Sequence, residues 1–178
     1  DMYTTGEGTE KNLEKALYWI KTLSEGGDSD AQTRLGWIYY RGEGVDKDMS
    51  TAYHWFLRGA RNGNLAAQGK VSNMYFLGEG VGQDLEKSFY WTKLAAERGV
   101  ASAQYNLALM YEKGSGTDVS LESAVTFYTL SAQQGYVKAQ LVLAWKYSKG
   151  EGVRESLEQA FFWYERAAED GDPAGQYN

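Results

Sequence analysis

YYRGEGVDKD, residues 39–48, is the stretch on which the fold turns. A helix-like run closes on two tyrosines and stops at Gly42. Glu43, Gly44 and Val45 follow, and Asp48 stands before what reads as another helix. A Gly-x-Gly segment can cradle a phosphate, loop around a metal or turn a hairpin. The same pattern returns as FLGEGVGQD at 76–84 and SKGEGVRES at 148–156, so one explanation has to serve several copies.

Self-similarity at a fixed period is the mark of a repeat architecture. The first glycine of the pair falls at Gly6, Gly42, Gly78, Gly114 and Gly150, and the second at Gly8, Gly44, Gly80, Gly116 and Gly152. A third set is Gly27, Gly63, Gly99, Gly135 and Gly171, and every step is 36 residues. Glutamine keeps the same beat at 32, 68, 104, 140 and 176, as does tyrosine at 3, 39, 75, 111 and 147. A bulky aromatic slot reads Trp19, Trp55, Trp91, Phe127 and Trp163, with a small residue three positions upstream each time.

Each repeat reads as two helices. Helix A spans about 31–40, where Ala31, Leu35, Ile38 and Tyr39 form an apolar stripe at i, i+4, i+7 and i+8. Helix B spans about 49–62, with Ala52, Trp55, Phe56, Gly59 and Ala60 on one face. N-cap residues stand before helix B throughout: Asn12, Asp48, Asp84, Ser120 and Ser156. Ser156 with Gln159 has the spacing of a capping box. The glycines at 27, 63, 99, 135 and 171 fit the left-handed residue that ends helix B, and Asp172-Pro173 fits an N-cap followed by proline at the first helical position.

These placements answer the opening question. Gly42, Gly78, Gly114 and Gly150 end helix A by turning through angles costly for a residue with a Cβ. The second glycines are expected to let the turn approach its own hairpin closely. A phosphate loop would follow a strand and aim one helix N-terminus at one ligand. No strand pattern, no Gly-Lys-Ser/Thr and five equivalent copies argue for a hinge.

Composition narrows the function. The 178 residues carry a net charge of −6, with no basic run, which disfavours a nucleic-acid partner. No segment approaches the roughly 20 apolar residues that span a bilayer. The absence of cysteine removes disulfides, thiol nucleophiles and thiolate zinc sites, and leaves the compartment open. His54 is the only histidine, so a His-based metal or acid–base site lacks its second member. Asp46-Lys47-Asp48 lacks the glycine and terminal glutamate of a calcium loop. Glu7, Glu43, Glu79 and Glu151 read as solvated loop residues or, alternatively, as an acidic edge. No serine has a base placed beside it by the sequence. No cofactor, metal or catalytic residue is expected.

Residues 31–63 carry a family resemblance. Ala31, Gln32, Leu35, Gly36, Tyr39, Gly42, Gly44, Val45, Asp48, Ala52, Trp55, Ala60 and Gly63 follow the pattern of the Sel1-like repeat. Tetratricopeptide repeats share the hairpin logic, but their period is shorter and they lack Gly-x-Gly between the helices. The resemblance implies an all-α fold, a right-handed α/α superhelical solenoid with A helices lining a concave face. It also implies an interaction protein, often in bacterial envelope biology, signalling or host contact. Some relatives carry a cysteine pair in each repeat and are linked to β-lactam binding. The chain has no cysteine, so their properties do not transfer. GSGTDVS at 114–120 departs from the loop pattern, and Ser72, Ala108 and Ala144 replace Gly36. Asp1-Met2-Tyr3 matches the end of a helix A and Gln176-Tyr177-Asn178 the start of another. Residues 1–178 are therefore expected to be one array, incomplete at both ends.

In a repeat protein the positions that vary are free to specialise. The helix-A face opposite the core stripe holds 33, 37, 40 and 41 and their equivalents. Trp37, Tyr40, Arg41, Phe76, Tyr105, Leu109, Trp145 and Lys149 give it the residue types of interaction hot spots. The expectation is a concave groove for a protein or peptide partner in a non-enzymatic adaptor. The alternative for Trp37 and Trp145 is packing between repeats. The rival functions are a cell-wall-associated glycan or β-lactam binder or enzyme, and a structural spacer.

Overall fold

A computed structural model describes residues 13–171. Tyr3, Gly6, Glu7, Gly8, Asn12, Asp172-Pro173 and Gln176 lie outside the described residues, as do both chain ends. The described residues form nine α-helices and no strand. These are α1 (Leu13–Glu25), α2 (Ser29–Arg41), α3 (Met49–Arg61), α4 (Leu65–Leu77) and α5 (Leu85–Glu97), followed by α6 (Ala101–Lys113), α7 (Leu121–Gln133), α8 (Val137–Lys149) and α9 (Leu157–Glu169). Even numbers are A helices and odd numbers are B helices. The chain divides into two compact units, Asp1–Asp84 and Leu85–Asn178.

Glycine ends every A helix. Gly42, Gly78, Gly114 and Gly150 have φ between 67° and 75°, a left-handed conformation that L side chains enter at a cost of about 1–2 kcal/mol. Gly42 N–H donates to the Ile38 carbonyl at 2.8 Å, and Glu43 N–H joins it at 3.1 Å. The Tyr39 carbonyl is left for another donor, the N–H of Asp48 at 2.9 Å. The pattern repeats: Asp84 donates to Tyr75, Ser120 to Tyr111 and Ser156 to Tyr147, each at 2.9 Å. The N-cap of helix B is thereby tied to the tyrosine position of helix A.

That bond removes one half of the expected capping box. Ser156 Oγ accepts from Gln159 N–H at 3.2 Å, but the Ser156 N–H is taken by the Tyr147 carbonyl, not by the Gln159 side chain. Asp48 caps its helix with both carboxylate oxygens, accepting from the N–H groups of Ser50 and Thr51 and from the Thr51 hydroxyl. The Thr51 N–H is the largest contributor holding that carboxyl below its ordinary pKa.

The second glycines correct an expectation. Gly80 does not approach its own hairpin closely; a Cβ on it would lie 2.1 Å from the Met49 carbonyl oxygen, at the start of the preceding repeat's helix B. Gly116 stands in the same way over the Leu85 carbonyl, at 2.0 Å. The loop of one repeat thus covers the helix-B N-terminus of the repeat before it.

Helix A is also pinned at its beginning. The amides of Gln32, Gln68, Gln104 and Gln140 are buried, and each Nε2 donates to a carbonyl eight residues earlier, of Ser24, Ala60, Ala96 and Ala132. Those carbonyls lie at the end of the preceding helix B, where no intrahelical donor remains for them. Asn62 supplies a donor to Gln32 Oε1 at 2.9 Å, and Gln134 does so for Gln104 at 2.7 Å.

Each compact unit has its own core. In the first, Leu35, Phe56, Val71 and Met74 are fully buried, and the Tyr53 and Tyr75 hydroxyls share a hydrogen bond of 2.5 Å. Burial, reinforced by that bond, pushes the Tyr53 phenol up. Gly36 is glycine because a Cβ there would meet the Phe56 ring at 2.7 Å. In the second unit Leu107, Tyr128, Leu143 and Trp163 pack among alanines, which let the helix backbones approach.

Candidate functional site

The eight expected groove residues fall into two environments. In the first compact unit, Trp37 is half-buried, edge-on to Phe56 at 5.1 Å and to Tyr40 at 5.4 Å. The Arg41 guanidinium lies 4.9 Å from the Trp37 ring centre and pairs with Glu43 at 3.2 Å. Lys70 of α4 places Nζ 3.6 Å from the Tyr40 ring centre. The Tyr40 hydroxyl donates to Glu79 Oε2 at 3.1 Å, and Lys70 reaches the same oxygen at 3.7 Å. Trp37 and Tyr40 therefore join α2 to α3 and α4, whereas Phe76 projects into solvent, 45% exposed. Thr33 does not belong to the outward face: it is buried, and its hydroxyl donates to the Ser29 carbonyl in the space left by Gly59.

In the second compact unit, Tyr105 is half-buried against Tyr128 and Tyr136, and Leu109 packs on the core. Trp145 is 46% exposed and Lys149 is exposed. Phe76, Trp145, Arg41 and Lys149 thus present themselves to solvent, while Trp37, Tyr40, Tyr105 and Leu109 share their surface with neighbouring helices.

The sequence reading missed a buried ionic cluster in this unit. Lys146 stands where earlier repeats have Ile38, Met74 and Met110, and it is 1% exposed. Its ammonium contacts Glu112 of α6 closely and Glu151 Oε1 at 3.2 Å, while the Tyr128 hydroxyl donates to Glu112 at 2.7 Å. Burial favours the neutral Glu112 acid, but the hydrogen bonds from Lys146 and Tyr128 outweigh it and hold the carboxyl below its ordinary value. Burial, with the donated bond to Glu112, pushes the Tyr128 phenol far up. A charge interrupting an apolar column was the available signal. Glu79 and Glu151 are likewise not freely solvated loop acids, because each is drawn onto a helix-A lysine.

Other candidates resolve simply. His54 is exposed beside the Tyr53 ring, and Asp48 is committed to its helix. Among the described residues no group of three or more His, Asp or Glu side chains is placed to hold a metal ion, and no helix is long and apolar enough to cross a membrane. An open cleft of about 310 Å³ lies between α1 and α2, floored by Ala16, Leu17 and Ile20 and edged by Arg34, Trp37 and Arg41.

Helix hairpins in strict register, each pinned to the last by a glutamine and a glycine loop, define an α/α solenoid repeat protein. The chain belongs to the Sel1 repeat family, whose pattern matches residues 1–28, 29–64, 65–100, 101–136 and 137–172. The Sel1 fold is typical of protein–protein interaction scaffolds. Among solved structures, a Sel1 repeat protein from Oxalobacter formigenes is 32% identical, with a TM-score of 0.90 over 96% of this chain and 70% of that one. A protective antigen of uropathogenic Escherichia coli with an SLR fold is 36% identical, with a TM-score of 0.83 over 88% of this chain. This chain spans only 33% of that antigen's length. Cysteine rich protein B of Helicobacter pylori shares the fold at 23% identity, with a TM-score of 0.57 over 76% of this chain and 97% of that one. No curated protein sequence matches the chain.

Proposed function

We propose that the chain is a non-enzymatic adaptor that recognises a protein or peptide segment on the outward face of its A helices. One observation carries this reading. The glutamine and glycine positions that build the scaffold repeat from unit to unit, whereas the exposed helix-A positions vary and include Phe76, Leu77 and Trp145. Large apolar side chains left in solvent suit an interface core. The expected absence of nucleic acid as a partner remains part of this reading, on the chain's net charge of −6.

The test is affinity capture from native extract with the array and a Phe76→Ser/Trp145→Ser variant, both verified as helical by circular dichroism. Trp37 is unsuitable for this comparison because it packs on Phe56, so its removal mixes stability with binding. A specific partner held by the parent and lost by the variant is the expected outcome. Identical captures by both proteins would rule out these faces.

A further inference from the structure

The open cleft between α1 and α2 has a counterpart one repeat later. A step of 36 residues carries Ala16, Ile20, Arg34, Ile38 and Glu43 onto Ala52, Phe56, Lys70, Met74 and Glu79. The walls thus share their chemistry position by position: an apolar floor on a B helix, a cation on the A helix that follows, and an acid in the next loop. Both copies lie in the first compact unit. The later copy is occupied. Tyr40, from the A helix before it, sets its ring edge-on to Phe56 at 6.4 Å, with Lys70 Nζ 3.6 Å from the ring centre. Its hydroxyl donates to Glu79 Oε2 at 3.1 Å. Trp37 completes the packing, 5.1 Å from Phe56 and 5.4 Å from Lys70. Lys70 reaches the same Glu79 oxygen at 3.7 Å, so an acid already paired with a cation still accepts the phenol.

One period before Trp37 and Tyr40 stand Asp1 and Thr4, which carry no ring and lie outside the described residues. The earlier copy therefore has the walls of a tyrosine site with no aromatic residue at either matching position, and between those walls lies the cleft of about 310 Å³. Ligand sites span about 300–1,000 Å³, so this one suits a small group. Its differences from the filled copy also favour a ring. Ile20 in place of Phe56 leaves more room on the floor. Arg34 in place of Lys70 brings a planar guanidinium, which stacks on aromatic faces better than an ammonium. Trp37 in place of Asn73 adds an aromatic rim. Glu43 keeps the acceptor, and its pair with Arg41 at 3.2 Å parallels that of Glu79 with Lys70.

We propose that this cleft receives a tyrosine side chain from a peptide segment of the protein partner. The ring lies against Arg34 above the floor of Ala16, Leu17 and Ile20, as Tyr40 lies against Lys70. The hydroxyl donates to Glu43, as that of Tyr40 donates to Glu79. The inference deepens the adaptor reading, because Trp37 and Arg41 edge the cleft and belong to the α2 face, and it rests on that reading.

The probe is the blocked tripeptide acetyl-Gly-Tyr-Gly-amide, titrated into the full chain and followed by backbone amide NMR shifts. Comparison peptides carry phenylalanine or phosphotyrosine at the centre. Saturable shifts are expected at Ile20, Arg34 and Gly44, with the phenylalanine peptide at least ~5-fold weaker because it lacks the bond to a charged acceptor. Glu43→Ala, at an exposed loop residue, should bring the tyrosine and phenylalanine peptides within ~2-fold of each other. Arg34→Ala should weaken both at least ~3-fold. Both variants are checked for helicity first, and Glu43→Ala decides alone if Arg34→Ala does not fold. The phosphotyrosine peptide should bind more weakly, because Glu43 repels its charge. Equal binding of tyrosine and phenylalanine by the parent chain, tighter binding of phosphotyrosine, or shifts that do not saturate overturn the proposal. If the tripeptide fails while Phe76→Ser/Trp145→Ser still loses the native partner, only the tyrosine assignment falls. If neither responds, the adaptor reading falls with it.

Discussion

Gly44 and Gly80 occupy the same place in successive loops, with φ of 74° and 69°, yet a methyl group would meet quite different surroundings at each. At Gly44 no atom of the described residues lies within 4 Å of an added Cβ, so against those residues Gly44→Ala should cost only the left-handed strain, about 1 kcal/mol. At Gly80 the same Cβ would sit 2.1 Å from a backbone oxygen that belongs to α3 and cannot swing aside. Strain and displacement together put Gly80→Ala at about 3 kcal/mol or more. Urea unfolding of the two variants measures the difference, and equal midpoint shifts would show that the loop does not bear on α3. A single glycine column thus has one backbone requirement and more than one packing requirement.

A buried lysine gives α8 a different relation to its neighbours from that of α2, α4 or α6. Lys146 has left water almost completely, and removing one of its anions would strand it. Glu112→Ala should therefore destabilise the second compact unit by about 3 kcal/mol, whereas Lys146→Met, which restores the side chain of Met74 and Met110, should cost markedly less. Thermal or urea unfolding decides the order, and the reverse order would show that the ion pairs contribute little. The pH dependence has a defined sign. Glu112 titrates in the fold below its ordinary value of 4.5, so its stabilising contribution is present above pH 4.5 and is lost as pH falls through the lowered value. Lys146→Met should flatten the acid limb of the stability curve relative to the parent chain. Tyr128 acts at the other extreme: its phenol is raised, so its contribution holds below pH 10 and declines in stronger alkali.

Because the second compact unit contains its own core around Leu107, Tyr128, Leu143 and Trp163, a fragment of residues 85–178 is expected to fold alone. Circular dichroism and a cooperative urea transition would show it; a non-cooperative transition would show that this core depends on residues 1–84. The fold was legible because Gly42, Gln32 and Trp55 recur at one period and helix pairs follow from apolar spacing alone. The candidate site was legible only in part. Spacing places Trp37 and Trp145 on the same helical face but says nothing of what lies opposite, and Phe56 covers one while solvent meets the other. Lys146 is hidden from a pattern built on what the repeats share, because its meaning lies in its departure from Ile38, Met74 and Met110. Capping spacing at Ser156 likewise could not reveal that the Tyr147 carbonyl competes for the N–H. That carbonyl bond, made alike by Tyr39, Tyr75, Tyr111 and Tyr147, has an evolutionary consequence. It closes a ring of fixed size across each described loop from helix A to helix B, so inserting or deleting one residue there would break the ring and turn the next helix out of phase. Duplicating or excising a whole 36-residue block leaves every such ring intact. The chain can therefore lengthen or shorten by entire modules while its loops resist change of a single codon.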